Sequence, residues 1–198
     1  MAERLCRSTL SAYGIGRRVS LPVGLRLADA SDGVLYRALW EHPTVTRHLA
    51  AGTGGPDIDA RFDRVVRHNT VQHPGHRAWV VSVADLTPAA CGLTALLRDG
   101  ARAEFGIMLL PHSWGRGVAT AALGQLLPVA FGSMALDIVD ASRPDDAQVP
   151  VIDRLFAPFG FERAPGLRPG EVGWCLTRER WASRGADGRR GATPDAMP

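Results

Sequence analysis

The chain has 198 residues, of which 45% are hydrophobic and 22% are charged, as expected for a soluble globular domain that can bury a core. Its net charge of +3, with no dense basic run, gives no support to nucleic-acid binding, and no run of about 18 apolar residues is present to span a membrane. All 23 basic residues are arginine, which excludes lysine Schiff-base chemistry, and the widely spaced Cys6, Cys91 and Cys175 favour a reducing cytoplasm over a disulfide framework or zinc site.

The N-terminal part predicts a strand followed by two helices. Residues 1–18 are predicted to be a flexible arm, and 19–28 alternate well enough to form the first strand. A helix is expected at 32–40, and Asp57 is expected to cap a second helix that ends near His73.

Three closely linked strands are then expected at 78–84, 90–97 and 103–110, and their short connections predict an antiparallel meander. An Ala/Leu-rich helix follows and ends at about Phe131. Pro128 lies inside it and costs about 3 kcal/mol in an ordinary helix interior, which predicts a kink or a tightly packed last turn.

The C-terminal part predicts a strand at 134–139, a helix at 147–159, and closing strands at Phe161 and 171–177. Residues 182–198 are rich in Gly, Ser, Arg and Pro and are predicted to be a disordered tail, so the folded domain is expected to cover 19–181.

The stretch 104–122 combines a strand, a glycine turn and a helix. Pro111 should end the strand, and Gly115 and Gly117 permit positive φ and a close backbone approach to a ligand. The helix N-terminus and Arg116 together suit a phosphate. A purely structural turn is the other interpretation, and neither of the common nucleotide-binding glycine patterns is present.

The sequence Trp114-Gly-Arg-Gly-Val-Ala119, preceded by Leu-Leu-Pro, resembles the acetyl-CoA loop of the GNAT superfamily of N-acetyltransferases. That family's pattern is Gln/Arg-x-x-Gly-x-Gly/Ala, and tryptophan at its first position is typical of the ribosomal-protein N-terminal acetyltransferase (RimJ/RimL-type) branch. Phe159-Gly160-Phe161 resembles the family's ending of the last helix. The resemblance covers about residues 22–177. It implies an α/β GNAT fold with a mixed, mostly antiparallel sheet of six to seven strands, about four flanking helices and a splay at the cofactor strands.

The resemblance also implies acetyl-CoA as co-substrate. The backbone of Met108, Leu109 and Leu110 would pair with the pantetheine arm, and a backbone N–H near Leu109 would bind the oxyanion. The pyrophosphate would lie on the loop and helix N-terminus formed by Trp114, Gly115, Arg116, Gly117, Val118, Ala119 and Thr120.

Glu104, at the start of the strand that leads into the loop, is the candidate general base, because many family members have a glutamate there. A solvated or salt-bridged strand carboxylate is the alternative interpretation. His112 has a pKa range suited to proton transfer but is expected to be a surface residue. Asp137 and Asp140 are expected to be capping or substrate-charge residues, and the scattered histidines predict no metal site.

The chain departs from the family pattern in its last helix. Val149 and Ile152 stand where an Asn and a Ser or Ala are usual, and Phe156 stands where many members have a tyrosine acid. The leaving thiolate would then depend on water or on the proton of the amine.

An α-amine with a pKa near 8 is about 10% neutral at pH 7, against about 0.04% for a lysine amine. A site without an assured strong base therefore favours the α-amine of a peptide or protein N-terminus. The family places its substrate wall at 41–56, where Arg47 and His48 could meet a carboxylate or a carbonyl. A small amine-bearing metabolite or antibiotic as acceptor, a silent acyl-CoA-binding domain and a plain α/β domain remain alternatives. The protein is expected to be a monomer or homodimer.

Overall fold

The computed structural model describes residues 22–47, 57–71 and 75–190, so the predicted arm at 1–18 and residues 191–198 lie outside it. Within the described residues the strands are β1 (Val23–Leu27), β2 (Arg77–Val83), β3 (Ala90–Asp99), β4 (Arg102–Leu109), β5 (Ile138–Pro144), β6 (Glu162–Pro165) and β7 (Glu171–Thr177). They form one sheet in the order β1-β2-β3-β4-β5-β7-β6. Only β4 and β5 pair in parallel, so the sheet is mixed and mostly antiparallel, as predicted.

The helices of the described residues are α1 (Gly33–Glu41), α2 (Pro43–Thr46), α3 (Ile58–Thr70), α4 (Val118–Phe131), α5 (Val149–Phe156) and α6 (Arg178–Arg190). The predicted cap of α3 is confirmed, because the Asp57 carboxylate accepts a 2.9 Å hydrogen bond from the Ala60 N–H. Asp29 caps a 3₁₀ turn at Ala30–Asp32 that leads into α1.

The sheet separates two apolar layers. On one face, α4 and α5 cover a core that contains Phe105, Leu127 and Trp174. On the other face, α1 and α3 cover a second core built around Tyr36 and Phe62. Since side chains alternate across a strand, the even-numbered residues of β4 face α1 and α3, and the odd-numbered residues face α4 and α5.

Pro128 does not end α4. The helix continues to Phe131, and the Pro128 carbonyl accepts from the Gly132 N–H at 2.9 Å. Leu127, Ala130 and Phe131 are all buried, which confirms the tightly packed last turn.

The fifth strand begins at Ile138 and not at the predicted residue 134. Ala135 has a positive φ of 52°, and the Met134 and Leu136 N–H groups bond to the Val129 and Ala130 carbonyls at the end of α4. These residues therefore extend the helix end as a buried turn, although their apolar sequence suits a strand.

Helix α6 runs through residues 182–190, which the composition predicted to be part of a disordered tail. The side chains at its start contact the end of α4 and the turn that follows α5. Trp181 stacks on Phe131 at 6.0 Å between ring centroids, Arg180 Nε donates to the Gly160 carbonyl at 2.7 Å, and Arg184 Nη2 donates to the Pro158 carbonyl at 2.8 Å. Long-range contacts of this kind outweigh a weak local signal.

Candidate active site

The parallel strands β4 and β5 pair at three positions only, Arg102 with Ile138, Ala103 with Val139, and Glu104 with Asp140. Beyond them β4 continues to Leu109 and β5 to Pro144 without pairing with each other, although β4 stays paired with β3 and β5 with β7. A cavity of about 410 Å³ lies at this opening, lined by residues 104–108 and 141–144 together with side chains from α1 and α5. The predicted splay is therefore present.

The backbone of β4 presents alternate residues to the opening. The Leu110 N–H donates to the Cys91 carbonyl, so even-numbered residues bond to β3 and odd-numbered residues face the gap. Of the three residues that the resemblance assigned to the pantetheine arm, Leu109 faces the gap, whereas the backbone groups of Met108 and Leu110 face β3. Ile107 takes their place as the second open backbone group next to the cavity. The Leu110 carbonyl is also occupied, because the Ser113 Oγ donates to it at 2.7 Å.

The glycine loop has the predicted conformation. Gly115 and Gly117 have φ values of 69° and 76°, and Gly117 is the N-cap of α4. The loop from Trp114 to Gly117 is exposed, while Val118 is buried and Ala119 and Thr120 are half-buried in the first turn of the helix. The first N–H groups of a helix have no partner inside it, so this exposed end can bind an anion. Arg116 is exposed beside it.

Trp114 connects the loop to the open edge of β4. Its indole Nε1–H donates to the Leu109 carbonyl at 2.7 Å, and the ring is 39% exposed. His112 is exposed in a 3₁₀ turn at Pro111–Ser113, as the sequence predicted. The tryptophan therefore covers the last gap-facing acceptor of the strand.

Glu104 lies on β4 at the point where the two strands part, and it lines the cavity. Burial raises the pKa of its carboxyl, Arg168 opposes that rise, and the carboxylates of Glu171 and Asp140 add to it. A half-buried carboxyl with a raised pKa at the closed end of the opening binds a proton more readily than an exposed glutamate does.

The chain was compared with known proteins on this basis. A family model described as an acetyltransferase (GNAT) domain matches residues 23–152. The chain belongs to the GNAT acetyltransferase family. It is therefore an acetyl-CoA-dependent N-acetyltransferase, and the open strand edge, the cavity and the glycine loop fit a coenzyme A arm and its pyrophosphate.

Several similar proteins are also described as N-acetyltransferases. An uncharacterized N-acetyltransferase p20 of Bacillus licheniformis is 25% identical over 150 residues, which are 74% of this chain and 83% of that protein. The spermidine N-acetyltransferase of Vibrio cholerae, solved with CoA and spermine, is 17% identical with a TM-score of 0.65 and covers 81% of this chain and 98% of its own. A point mutant of that enzyme has 18% identity and a TM-score of 0.65, covering 83% and 98%. At this identity the solved structures establish the shared fold.

The two aspartates predicted to act as capping or substrate-charge residues have structural roles in this GNAT enzyme. Asp140 is buried and accepts two hydrogen bonds from Arg102, from Nε at 3.0 Å and from Nη2 at 2.8 Å. Asp137 is exposed and pairs with Arg178 Nε at 3.1 Å. Asp140 thus ties β5 to β4, and Asp137 ties the residue before β5 to the start of α6. Arg47 does not line the cavity. His48 lies outside the residues that the structure describes.

The departures in α5 make that wall of the cavity apolar. Ile152 and Phe156 line it, and Val149 is buried beside it. Phe156 is 2% exposed and packs on Phe161 and Trp174, with ring centroids at 4.4 and 5.5 Å. No side-chain acid stands at this position.

Three residues that the sequence did not single out complete the other wall. Ser142 on β5 and Arg168 in the loop before β7 both hydrogen-bond to Glu171 on β7, and all three line the cavity. Arg168 and Glu171 are only three residues apart, and the pairing of β5 with β7 brings Ser142 to them. In the described ranges no group of three or more His, Cys, Asp or Glu side chains is arranged to hold a metal, and no helix is long and apolar enough to cross a bilayer.

Proposed function

We propose that this enzyme acetylates the α-amine of a peptide or protein N-terminus, the activity of the RimJ/RimL-type branch that its acetyl-CoA loop resembles. The observation that carries the proposal is the charge balance around Glu104. An acceptor amine arrives largely as an ammonium ion, so the number of unpaired carboxylates limits how many cationic groups the site can hold.

The cavity lining includes two acidic and two basic side chains. Glu171 forms a 3.1 Å salt bridge with Arg168. Arg143 forms a 2.7 Å salt bridge with Asp146, which does not line the cavity. Glu104 forms no salt bridge with any residue that the structure describes. One carboxylate is therefore left to receive one ammonium group.

This balance favours a monoamine over a polyamine. Spermine, which is bound in the Vibrio cholerae structure, carries several ammonium groups, and each would need a carboxylate of its own. Residues 48–56 contain no Asp or Glu, and Asp57, the one acidic residue between α2 and α3, caps α3. Arg168 adds a positive charge next to the acceptor position.

The reaction needs a neutral nitrogen close to the acetyl group. Bound acetyl-CoA supplies the acetyl thioester. Glu104 attracts the ammonium group, which loses one proton to water before the reaction. The neutral nitrogen then bonds to the acetyl carbon as the carbon–sulfur bond breaks, Glu104 accepts the second proton from the nitrogen, and the leaving thiolate takes a proton from water. The raised pKa of Glu104 brings it closer to that of an α-amine, and this lowers the cost of the proton transfer. The apolar wall at Ile152 and Phe156 excludes water from the same space.

A thiol-release assay tests the proposal. The acceptors are a tripeptide with a free N-terminus, the same peptide blocked at its N-terminus and containing one lysine, and spermidine. We expect the free tripeptide to have the highest kcat/KM. A higher value for the blocked lysine peptide or for spermidine would refute the proposal. Size-exclusion chromatography would test the predicted monomer or homodimer, and cell fractionation the predicted cytoplasmic location.

A further inference from the structure

Arg168 lies at the rim of the cavity that contains Glu104. Its side chain is 58% exposed, and it belongs to the loop that joins β6 to β7. Among the described residues only its Nη1 has a hydrogen-bond acceptor, the Glu171 Oε1 at 3.1 Å. Its Nε–H and Nη2–H groups can therefore bind an oxygen atom of a ligand.

Glu171 holds this guanidinium in place. The side chain of Glu171 is only 6% exposed, and its second oxygen accepts from the Ser142 Oγ at 2.7 Å. Burial raises the pKa of Glu171, but the bonds from Ser142 and Arg168 outweigh that effect and the net shift is downward. The Glu171 N–H also bonds to the Arg168 carbonyl at 3.2 Å. The arginine is thus anchored to a buried carboxylate whose charged form these hydrogen bonds favour.

Arg168 is also close enough to Glu104 to oppose the rise of its pKa. An acceptor whose amine binds at Glu104 must therefore present its adjoining atoms to a fixed positive charge. A second ammonium group would be repelled there, whereas a carbonyl oxygen would accept a charge-assisted hydrogen bond. In a peptide N-terminus, a carbonyl is attached to the carbon that carries the amine.

We propose that Arg168 is a specificity-determining residue that binds the first carbonyl oxygen of the acceptor peptide, and that Glu171 is the positioning residue that holds it. This inference rests on the proposed function, because it assumes an α-amine at Glu104. Discrimination between α-amines and plain alkylamines then depends on Arg168, while proton removal depends on Glu104.

The test compares alaninamide, which has this carbonyl, with sec-butylamine, which lacks it. For each amine, kcat/KM of the variant is divided by kcat/KM of wild type, so that the different basicities of the two amines cancel. Arg168→Leu should lower kcat/KM for alaninamide about 10- to 100-fold, chiefly through KM, and that for sec-butylamine by less than about threefold. Glu171→Gln should show the same selectivity with a smaller loss. Arg37→Gln, which removes another exposed arginine paired with a carboxylate, is the matched control and should change neither ratio.

Equal losses for the two amines in Arg168→Leu would overturn the inference. An unchanged thermal shift with acetyl-CoA shows that the variant is folded, so that misfolding cannot mimic either result. If wild type acetylates sec-butylamine or spermidine but not alaninamide, the proposed function itself is refuted. Free alanine is assayed as a third acceptor. If Arg168→Leu lowers kcat/KM for free alanine alone and leaves that for alaninamide unchanged, the inference is also overturned, since Arg168 would then bind a carboxylate.

Discussion

Replacing Glu104 with glutamine removes the proton acceptor and keeps the shape of the side chain. A general base contributes about 10²- to 10⁴-fold. The lower end applies here, because an α-amine is already about 10% neutral at pH 7 and only the proton released on forming the new carbon–nitrogen bond needs an acceptor. We therefore expect kcat/KM for a tripeptide to fall about 100-fold, with acetyl-CoA binding unchanged.

The pH profile of kcat/KM gives the sharper measurement. Protonation of the α-amine lowers the rate below about pH 8 in any variant. Because burial raises the pKa of Glu104, the wild-type rate should show a second, steeper decline at a pH above the ordinary glutamate pKa of about 4.3. The glutamine variant should lack that second decline. Glu179→Gln, at an exposed glutamate in α6, is the control. The assignment of Glu104 as base would be refuted by an unchanged rate, or by a variant whose acid decline is as steep as that of wild type.

The same shift has a consequence for stability. A raised folded-state pKa means that folding favours the protonated form, so the stabilisation is complete below the unfolded pKa of about 4.3 and is lost as pH rises through the folded pKa. Glu104→Gln should therefore melt above wild type at pH 7 to 8 and lose that advantage near pH 4. Thermal melts across this range will show whether the sign is right.

Two further changes test the cofactor half of the site and the apolar wall. At a hundredfold excess over Kd, acetyl-CoA should stabilise the enzyme by about 2.7 kcal/mol, or roughly 5–10 °C. Gly117→Val should abolish this shift, since φ at Gly117 is 76°, whereas Gly100→Val imposes similar strain at a hairpin with φ 58° and should retain it. If Gly117→Val still shows the shift, the loop does not bind the cofactor. Phe156→Ala should destabilise the fold by about 3–5 kcal/mol in urea titrations, because the ring is 2% exposed among other aromatic rings. A loss below about 1 kcal/mol would show that this wall does not need the aromatic cluster.

The local features of the fold followed from local sequence signals. The meander, the Asp57 cap and the glycine turn before α4 each depend on residues within a few positions of one another. The turn at Met134 to Leu136 was missed for the opposite reason. Its apolar residues suit a strand, but their backbone is bonded to the end of α4.

The site was predictable in part. The glycine loop, the gap-facing Leu109 and the place of Glu104 followed from the family resemblance. The orientation of Met108 and Leu110 did not, because a strand's sequence does not tell which of its backbone groups the neighbouring strand will use. The Ser142, Glu171 and Arg168 wall depends on the register of β5 with β7. That register is a property of the assembled sheet.

Because the residues of β4 alternate in orientation, substitutions at its odd- and even-numbered positions should have different effects. Odd-numbered positions offer backbone groups to the gap between β4 and β5, where we propose that the cofactor binds, and a backbone group is present whatever the side chain is. Even-numbered positions such as Glu104 and Met108 turn their side chains toward the face covered by α1 and α3, where we propose that the acceptor binds. We expect libraries randomised at even positions to yield new acceptor preferences while acetyl-CoA binding is retained, so one strand allows selectivity to diverge independently of the cofactor.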